Sequence, residues 1–78
     1  MKIQVRAFHI KSGVREDPFY CPIARAIHAK RPKANVYVDR DGLELNGRLI
    51  KLPLRVVRFI EAFDDGKEVK PMSFNLSL

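Results

Sequence analysis

The sequence contains one cysteine, no tryptophan and no long apolar run. A single cysteine cannot form a disulfide within the chain, which argues against a secreted domain held together by disulfides. Charged side chains from Lys2 onward interrupt every short window near the start, so we expect no signal peptide and no membrane association. These absences predict a cytoplasmic protein.

Motifs for phosphate loops, metal sites and catalytic pairs are also missing. The four glycines stand apart, without the GxGxxG or GxxxxGK[ST] spacing. Cys21, His9 and His28 do not form a CxxC, HxH or HExxH pattern, and the carboxylates of Asp64 and Asp65 lie at an expected helix end. We therefore expect no metal, no other cofactor and no enzymatic activity.

Length and charge predict one small basic domain over residues 1–78. With 46% hydrophobic residues, a chain of 78 residues lacks the signature of disorder and buries a modest core. Basic residues outnumber acidic ones by 15 to 9. Residues 11–33 hold six basic and two acidic side chains, and this bias favours an anionic partner. The alternative is a solvated basic surface without a partner.

The first half of the chain predicts a strand followed by a helix. Residues 1–10 begin with apolar and polar residues in alternation, which predicts a half-buried strand, followed by a loop over residues 13–20. Pro22 predicts the first helical position, where a missing N–H is tolerated. Ile23 and Ile27 then form an apolar stripe, and Pro32 predicts a helix end near Lys30.

The second half of the chain predicts a hairpin, a helix and a strand. Asn46-Gly47 is typical of a type I′ turn that pairs Leu45 with Arg48, and a short strand over residues 36–38 precedes it. A helix is expected over residues 53–65 with Gly66 as its left-handed cap, and a final strand over residues 71–78. The predicted fold is α+β with two layers, a mainly antiparallel sheet with two helices on one face, in the order β-α-β-β-β-α-β.

A set of short motifs extends along most of the chain. They are Cys21-Pro22-Ile23-Ala24, Leu52-Pro53, Val57, Phe59-Ile60, Phe63-Asp64, Gly66, Val69, Pro71, Phe74 and Leu76. Together they resemble a family of small phage and prophage proteins, with Met72 where an aromatic residue is expected. The resemblance implies a phage origin and action in the cytoplasm of an infected host cell, and it implies no particular activity.

Cys21 is a candidate reactive thiol because it precedes the first predicted helix. A helix N-terminus with Arg15 or Arg25 nearby can lower the pKa of a cysteine, but nucleophilic catalysis also requires a base. His28 lies about two helical turns away, too far for direct contact. A small buried cysteine that caps the helix is therefore favoured.

The candidate ligand site is a basic stretch with aromatic neighbours. Its predicted members are Arg15, Tyr20, Arg25, His28, Lys30, Arg31 and Lys33. Tyr20, Phe19 or Tyr37 offers a ring on which a base can stack. We predict a non-enzymatic protein that binds nucleic acid or a nucleotide through this basic patch.

The alternative function is an inhibitor or adaptor that acts on a host protein of defence or transcription. The strand over residues 36–38, or the final strand, can pair with a partner strand if it lies at a sheet edge. The basic residues then contact an acidic surface of the host protein. A homodimer is compatible with both functions, because a small core gains stability from association.

Overall fold

The computed structural model describes residues 1–76. Five strands and three helices follow one another in the order β-α-α-β-β-β-α-β. Their bounds are β1 Lys2–Val5, α1 Ala7–Ser12, α2 Pro22–Lys30, β2 Val36–Asp39, β3 Gly42–Leu45, β4 Arg48–Ile50, α3 Leu54–Asp64 and β5 Met72–Asn75. The predicted α+β class is confirmed, with one helix more than the sequence indicated.

The five strands form two antiparallel sheets instead of the single sheet expected. β1 pairs with β5, and β2, β3 and β4 form a separate meander in that order. Helix α2 packs against both β1 and β2, so it joins the two sheets through the core. Its buried side chains are Pro22, Ile23, Ala24, Ala26 and Ile27. The apolar stripe predicted for this helix therefore contacts two sheets.

The first strand is shorter than predicted, and helix α1 takes the place of its second half. β1 pairs with β5 only as far as Val5, opposite Met72. Pro71 comes next in the partner and has no N–H to continue a ladder. Beyond Val5, the backbone N–H of Arg6 donates to Nδ1 of His9 at 3.0 Å, and this bond satisfies a donor at the start of α1. The expected strand up to residue 10 is therefore wrong.

The junction between α1 and α2 depends on Gly13. A Cβ atom at this position would lie 2.7 Å from two ring carbons of Pro22 and 2.9 Å from the carbonyl oxygen of His9. Only a residue without a side chain allows the end of α1 to approach the first turn of α2 this closely. Next to Pro22, the Cys21 thiol accepts from the N–H of Ala24 at 3.4 Å, as expected for a cysteine that caps the helix.

The predicted hairpin and second long helix are confirmed. Leu45 lies opposite Arg48, and Asn46 and Gly47 have φ values of 54° and 81°, as a type I′ turn requires. Gly66 follows α3 and has φ 80°, which is the left-handed conformation expected of the residue that caps this helix. The final strand covers Met72–Asn75, and the last two residues of the predicted strand lie outside the described residues.

Substitution of Gly13 by alanine is expected to destabilise the protein. Gly13 has φ −69°, which alanine adopts freely, so without a clash Gly13→Ala would stabilise the fold by about 0.4–1 kcal/mol through the unfolded state. The close contact with Pro22 instead predicts a loss of about 1–3 kcal/mol. Chemical denaturation monitored by circular dichroism measures the sign of the change, and an increase in stability would contradict this account of the junction.

Candidate ligand-binding site

A tight turn before α2 holds two aromatic rings in solvent. Oδ1 of Asp17 accepts from the backbone N–H groups of Phe19 at 2.9 Å and Tyr20 at 3.1 Å. This arrangement is an Asx turn. The N–H of Val14 donates to the carbonyl oxygen of Tyr20 at 2.9 Å, which closes the loop. Phe19 and Tyr20 are nevertheless 56% and 55% exposed, so a well-anchored backbone presents them to solvent.

Arg25 is positioned by the same turn. Its Nε atom donates to the carbonyl oxygen of Tyr20 at 3.2 Å, and its guanidinium carbon lies 5.4 Å from the centre of the Tyr20 ring. This distance is within the range of a cation–π interaction. The guanidinium group and the phenol ring are therefore held beside each other before any ligand arrives.

These side chains border a groove between α1, α2 and the start of β2. We call it the aromatic groove; it has a volume of about 530 Å³, and the residues used below are Phe8, Phe19, Tyr20, Arg25, His28 and Asn35. Phe8, from α1, is 60% exposed. The volume lies within the range of small-molecule sites, and three exposed rings around one groove are typical of a binding surface.

His9 lies in the wall of this groove and is almost fully buried, with 5% of its surface exposed. Because Nδ1 accepts from the N–H of Arg6, the proton of the neutral ring is on Nε2. Nε2 is buried and has no hydrogen-bond partner among residues 1–76. Burial lowers the pKa of His9, and the positive charges of Arg6 and Arg25 lower it further, which favours the neutral ring.

A second groove adjoins the aromatic groove. We call it the cationic groove, because its lining includes Lys2, Arg6 and Lys30 together with Gln4. Phe8, His9 and Ala29 line both grooves and form the wall between them. No carboxylate of residues 1–76 lines either groove. The two grooves are therefore suited to an anionic ligand.

Acidic side chains line a different groove. Its lining includes five carboxylate side chains, those of Glu16, Asp17, Asp39, Asp41 and Asp64. Cys21 lies at this groove, but its side chain is buried and burial raises the pKa of its thiol. This result contradicts the alternative of an activated thiolate and supports the structural reading of Cys21.

The structure brings together some of the predicted site residues. Tyr20, Arg25 and His28 line the aromatic groove, and Lys30 lines the cationic groove. The others lie elsewhere. Arg15 lies beside Gly66 at the end of α3, and Arg31 lines another groove, near the hairpin. Lys33 is exposed in the turn after α2 and lines neither the aromatic nor the cationic groove.

Several groove residues were not singled out from the sequence. The lining of the two grooves includes Phe8, Asn35, Lys2, Arg6 and His9, and none of these is a predicted site residue. The sequence gives one indication that Phe8 is unusual, because this apolar residue interrupts the alternation of apolar and polar residues in the first segment. Tyr37, considered as a stacking ring, is half-buried and packs edge-on against Phe19 with the ring centres 5.4 Å apart.

Comparison with protein-family models, curated proteins and solved structures found no match to this chain. Within the part of the chain that the structure describes, no helix is long and apolar enough to cross a membrane. Over the same residues, no three side chains of histidine, cysteine, aspartate or glutamate are grouped so that they could hold a metal ion. The site must therefore be interpreted from its own geometry.

His9 predicts a specific dependence of stability on pH. Its pKa in the folded state lies below the ordinary value of 6.5, so the unfolded chain binds a proton more readily than the folded protein. The contribution of neutral His9 to stability is fully present above about pH 6.5 and is lost as the pH falls through the folded pKa. Protonation also removes the lone pair that accepts from Arg6.

Asparagine at this position retains an acceptor near Nδ1 and does not titrate, so His9→Asn is the matched variant. The free energy of unfolding, measured by denaturation across pH, should fall more steeply below about pH 6.5 in the natural protein than in His9→Asn. Parallel curves for the two proteins would show that His9 is not held in its neutral form.

Proposed function

We propose that this protein is a non-enzymatic binding protein whose ligand is a nucleic acid or a nucleotide, bound in the aromatic groove. The observation that carries the proposal is the placement of three exposed rings and two basic side chains around one groove without a carboxylate among the described residues. The rings of Phe8, Phe19 and Tyr20 suit a nucleobase, and Arg25 and His28 suit a phosphate.

The exposed aromatic residues support this reading over a solvated basic surface. Six large hydrophobic side chains among residues 1–76 are strongly exposed: Phe8, Val14, Phe19, Tyr20, Leu49 and Leu54. Three of them, and every exposed aromatic ring, line the same groove. Solubility alone does not explain why these exposed rings lie together beside Arg25.

The first experiment is the ratio of absorbance at 260 and 280 nm of the purified protein at low and high salt, followed by mass spectrometry of any material that denaturation releases. The chain has no tryptophan and two tyrosines, so a small amount of bound nucleotide would dominate the spectrum. A released nucleotide, or nucleic acid that salt removes, is the expected result. A clean protein spectrum, together with no binding of added nucleotides or oligonucleotides, would contradict the proposal.

Variants of the groove test its location. Tyr20→Ala removes one stacking ring and should weaken binding by about 1–3 kcal/mol per stacked base, as measured by fluorescence anisotropy with a labelled oligonucleotide. Arg25→Gln removes the charge and retains a donor for the carbonyl oxygen of Tyr20, and should also weaken binding. The matched controls are Arg15→Gln and Lys33→Gln, because these cations lie outside both grooves. Equal losses in the controls and in Arg25→Gln would place the site elsewhere.

A second candidate function is that of an inhibitor or adaptor for a host protein, and one observation favours it. β4 is an edge strand of the three-stranded sheet, and its Leu49 side chain is 75% exposed. The opposite edge strand, β2, is partly covered, because the N–H of Val38 donates to the carbonyl oxygen of Pro18 at 2.8 Å. Within the three-stranded sheet a partner strand would therefore pair with β4, and Leu49→Lys would abolish its capture in a pull-down. The final strand, β5, is also an edge, because it pairs with β1 in a two-stranded sheet.

The resemblance seen in the sequence supports a phage origin for the protein, and with it a place of action in the cytoplasm of an infected host cell. There the ligand would be a nucleic acid or nucleotide of the host or of the phage. An acidic surface of a host protein is the partner in the second function. A homodimer agrees with either function, since association would enlarge the buried surface of a 78-residue chain.

A further inference from the structure

The aromatic and cationic grooves are separated by a shared wall rather than by unrelated surface. Phe8, His9 and Ala29 belong to the lining of both. The rings of Phe19 and Tyr20 lie on one side of this wall, and Lys2, Arg6 and Lys30 lie on the other. A ligand that crosses the wall can therefore stack a base in one groove and place phosphates in the other.

The size and chemistry of the two grooves indicate a ligand longer than one nucleotide. The aromatic groove, at about 530 Å³, has the volume of a small-molecule site, and Arg25 already supplies a cation for a phosphate there. The cationic groove adds about 320 Å³ and three basic side chains, which a single nucleotide does not need. A positively charged groove for the backbone beside aromatic rings for the bases is the arrangement by which proteins bind single strands.

The wall also carries a donor without a partner. Nε2 of His9 is covered in the free protein, and the exposed Phe8 ring lies beside it with the ring centres 4.2 Å apart. A buried donor without a partner costs free energy. His9 lines both grooves, so a shift of the wall that uncovers Nε2 would let it donate to a phosphate or base oxygen of a strand that crosses there.

Building on the proposed function, we propose that the ligand is a single-stranded oligonucleotide that crosses the Phe8–His9 wall and occupies both grooves. Its base stacks in the aromatic groove, its backbone continues past Lys2 and Lys30, and Nε2 of His9 donates to it at the crossing. Lys2, Arg6 and His9 thereby become contact residues, although the basic stretch of the sequence does not include them.

The experiment compares a labelled oligothymidylate with thymidine monophosphate, each titrated with the protein at several salt concentrations. The oligonucleotide should bind more tightly than the mononucleotide. The double variant with Lys2→Ala and Lys30→Ala should weaken oligonucleotide binding roughly tenfold and lower the slope of log affinity against log salt by about 0.7 for each lysine. Binding of the mononucleotide should be unchanged. The double variant with Arg15→Ala and Lys33→Ala removes the same charge outside both grooves and should leave the slope unchanged.

His9→Asn tests the crossing point separately. It retains an acceptor for the N–H of Arg6 and removes the Nε2 donor, so oligonucleotide affinity should fall roughly three- to tenfold. The salt slope should remain that of the natural protein, because neutral His9 neutralises no phosphate. In the natural protein, the nitrogen-15 resonance of His9 Nε2 should shift when oligothymidylate is added; an unmoved resonance would overturn the role of His9.

The outcomes separate this inference from the proposed function. If the mononucleotide binds as tightly as the oligonucleotide, and the Lys2/Lys30 variant binds both normally while Tyr20→Ala weakens both, the two-groove site is wrong and the aromatic groove stands. If neither probe binds, both proposals fall and a protein partner becomes the better explanation.

Discussion

The close contact between Gly13 and Pro22 is the constraint on which the candidate site depends. It brings the end of α1 against the first turn of α2, and both helices then supply residues to the lining of the aromatic groove. Helix α1 has six residues, too few to be stable in isolation, so its position depends on packing and on the bond from Arg6 to His9. Because α2 contacts both sheets, the groove is attached to a helix that packs in the core between them.

The site is held by hydrogen bonds to the backbone of the turn, not by burial of the functional side chains. The carboxylate of Asp17 accepts from two backbone N–H groups of the turn. The carbonyl oxygen of Tyr20 accepts from both Val14 and Arg25. Phe19 and Tyr20 therefore lose little conformational freedom on binding, which lowers the entropic cost of recognition. The thiol of Cys21 contributes to the same structure as a buried cap. Burial raises the pKa of this thiol, and the carboxylates of Asp64 and Asp17 raise it further.

Local patterns predicted much of the fold, whereas the site depended on contacts between distant segments. Asn46-Gly47 and Pro22 act through their own backbone geometry, so the hairpin and the start of α2 could be inferred without the rest of the chain. Helix α1 could not, because the end of β1 is determined by Pro71, far along the sequence. Of the residues predicted from the basic stretch, Tyr20, Arg25 and His28 line the aromatic groove. The sequence does not show that Lys2 and Arg6 line a groove with Lys30, since only the pairing of β1 with β5 and the turn into α1 bring them together.

The separation of charge between the grooves has a consequence for the approach of a partner. Cations line the grooves at α1 and α2, whereas five carboxylates line the groove that includes Asp39 and Asp64. A molecule with this distribution has an electric dipole as well as a net charge, and the field of a polyanion rotates it before contact. For the anionic ligand proposed above, this distribution of charge would favour approach at the cationic side, and the effect would decrease as ions shorten the range of the field. The acidic groove would thus contribute to association without contacting the ligand, because it repels the ligand at the wrong surface.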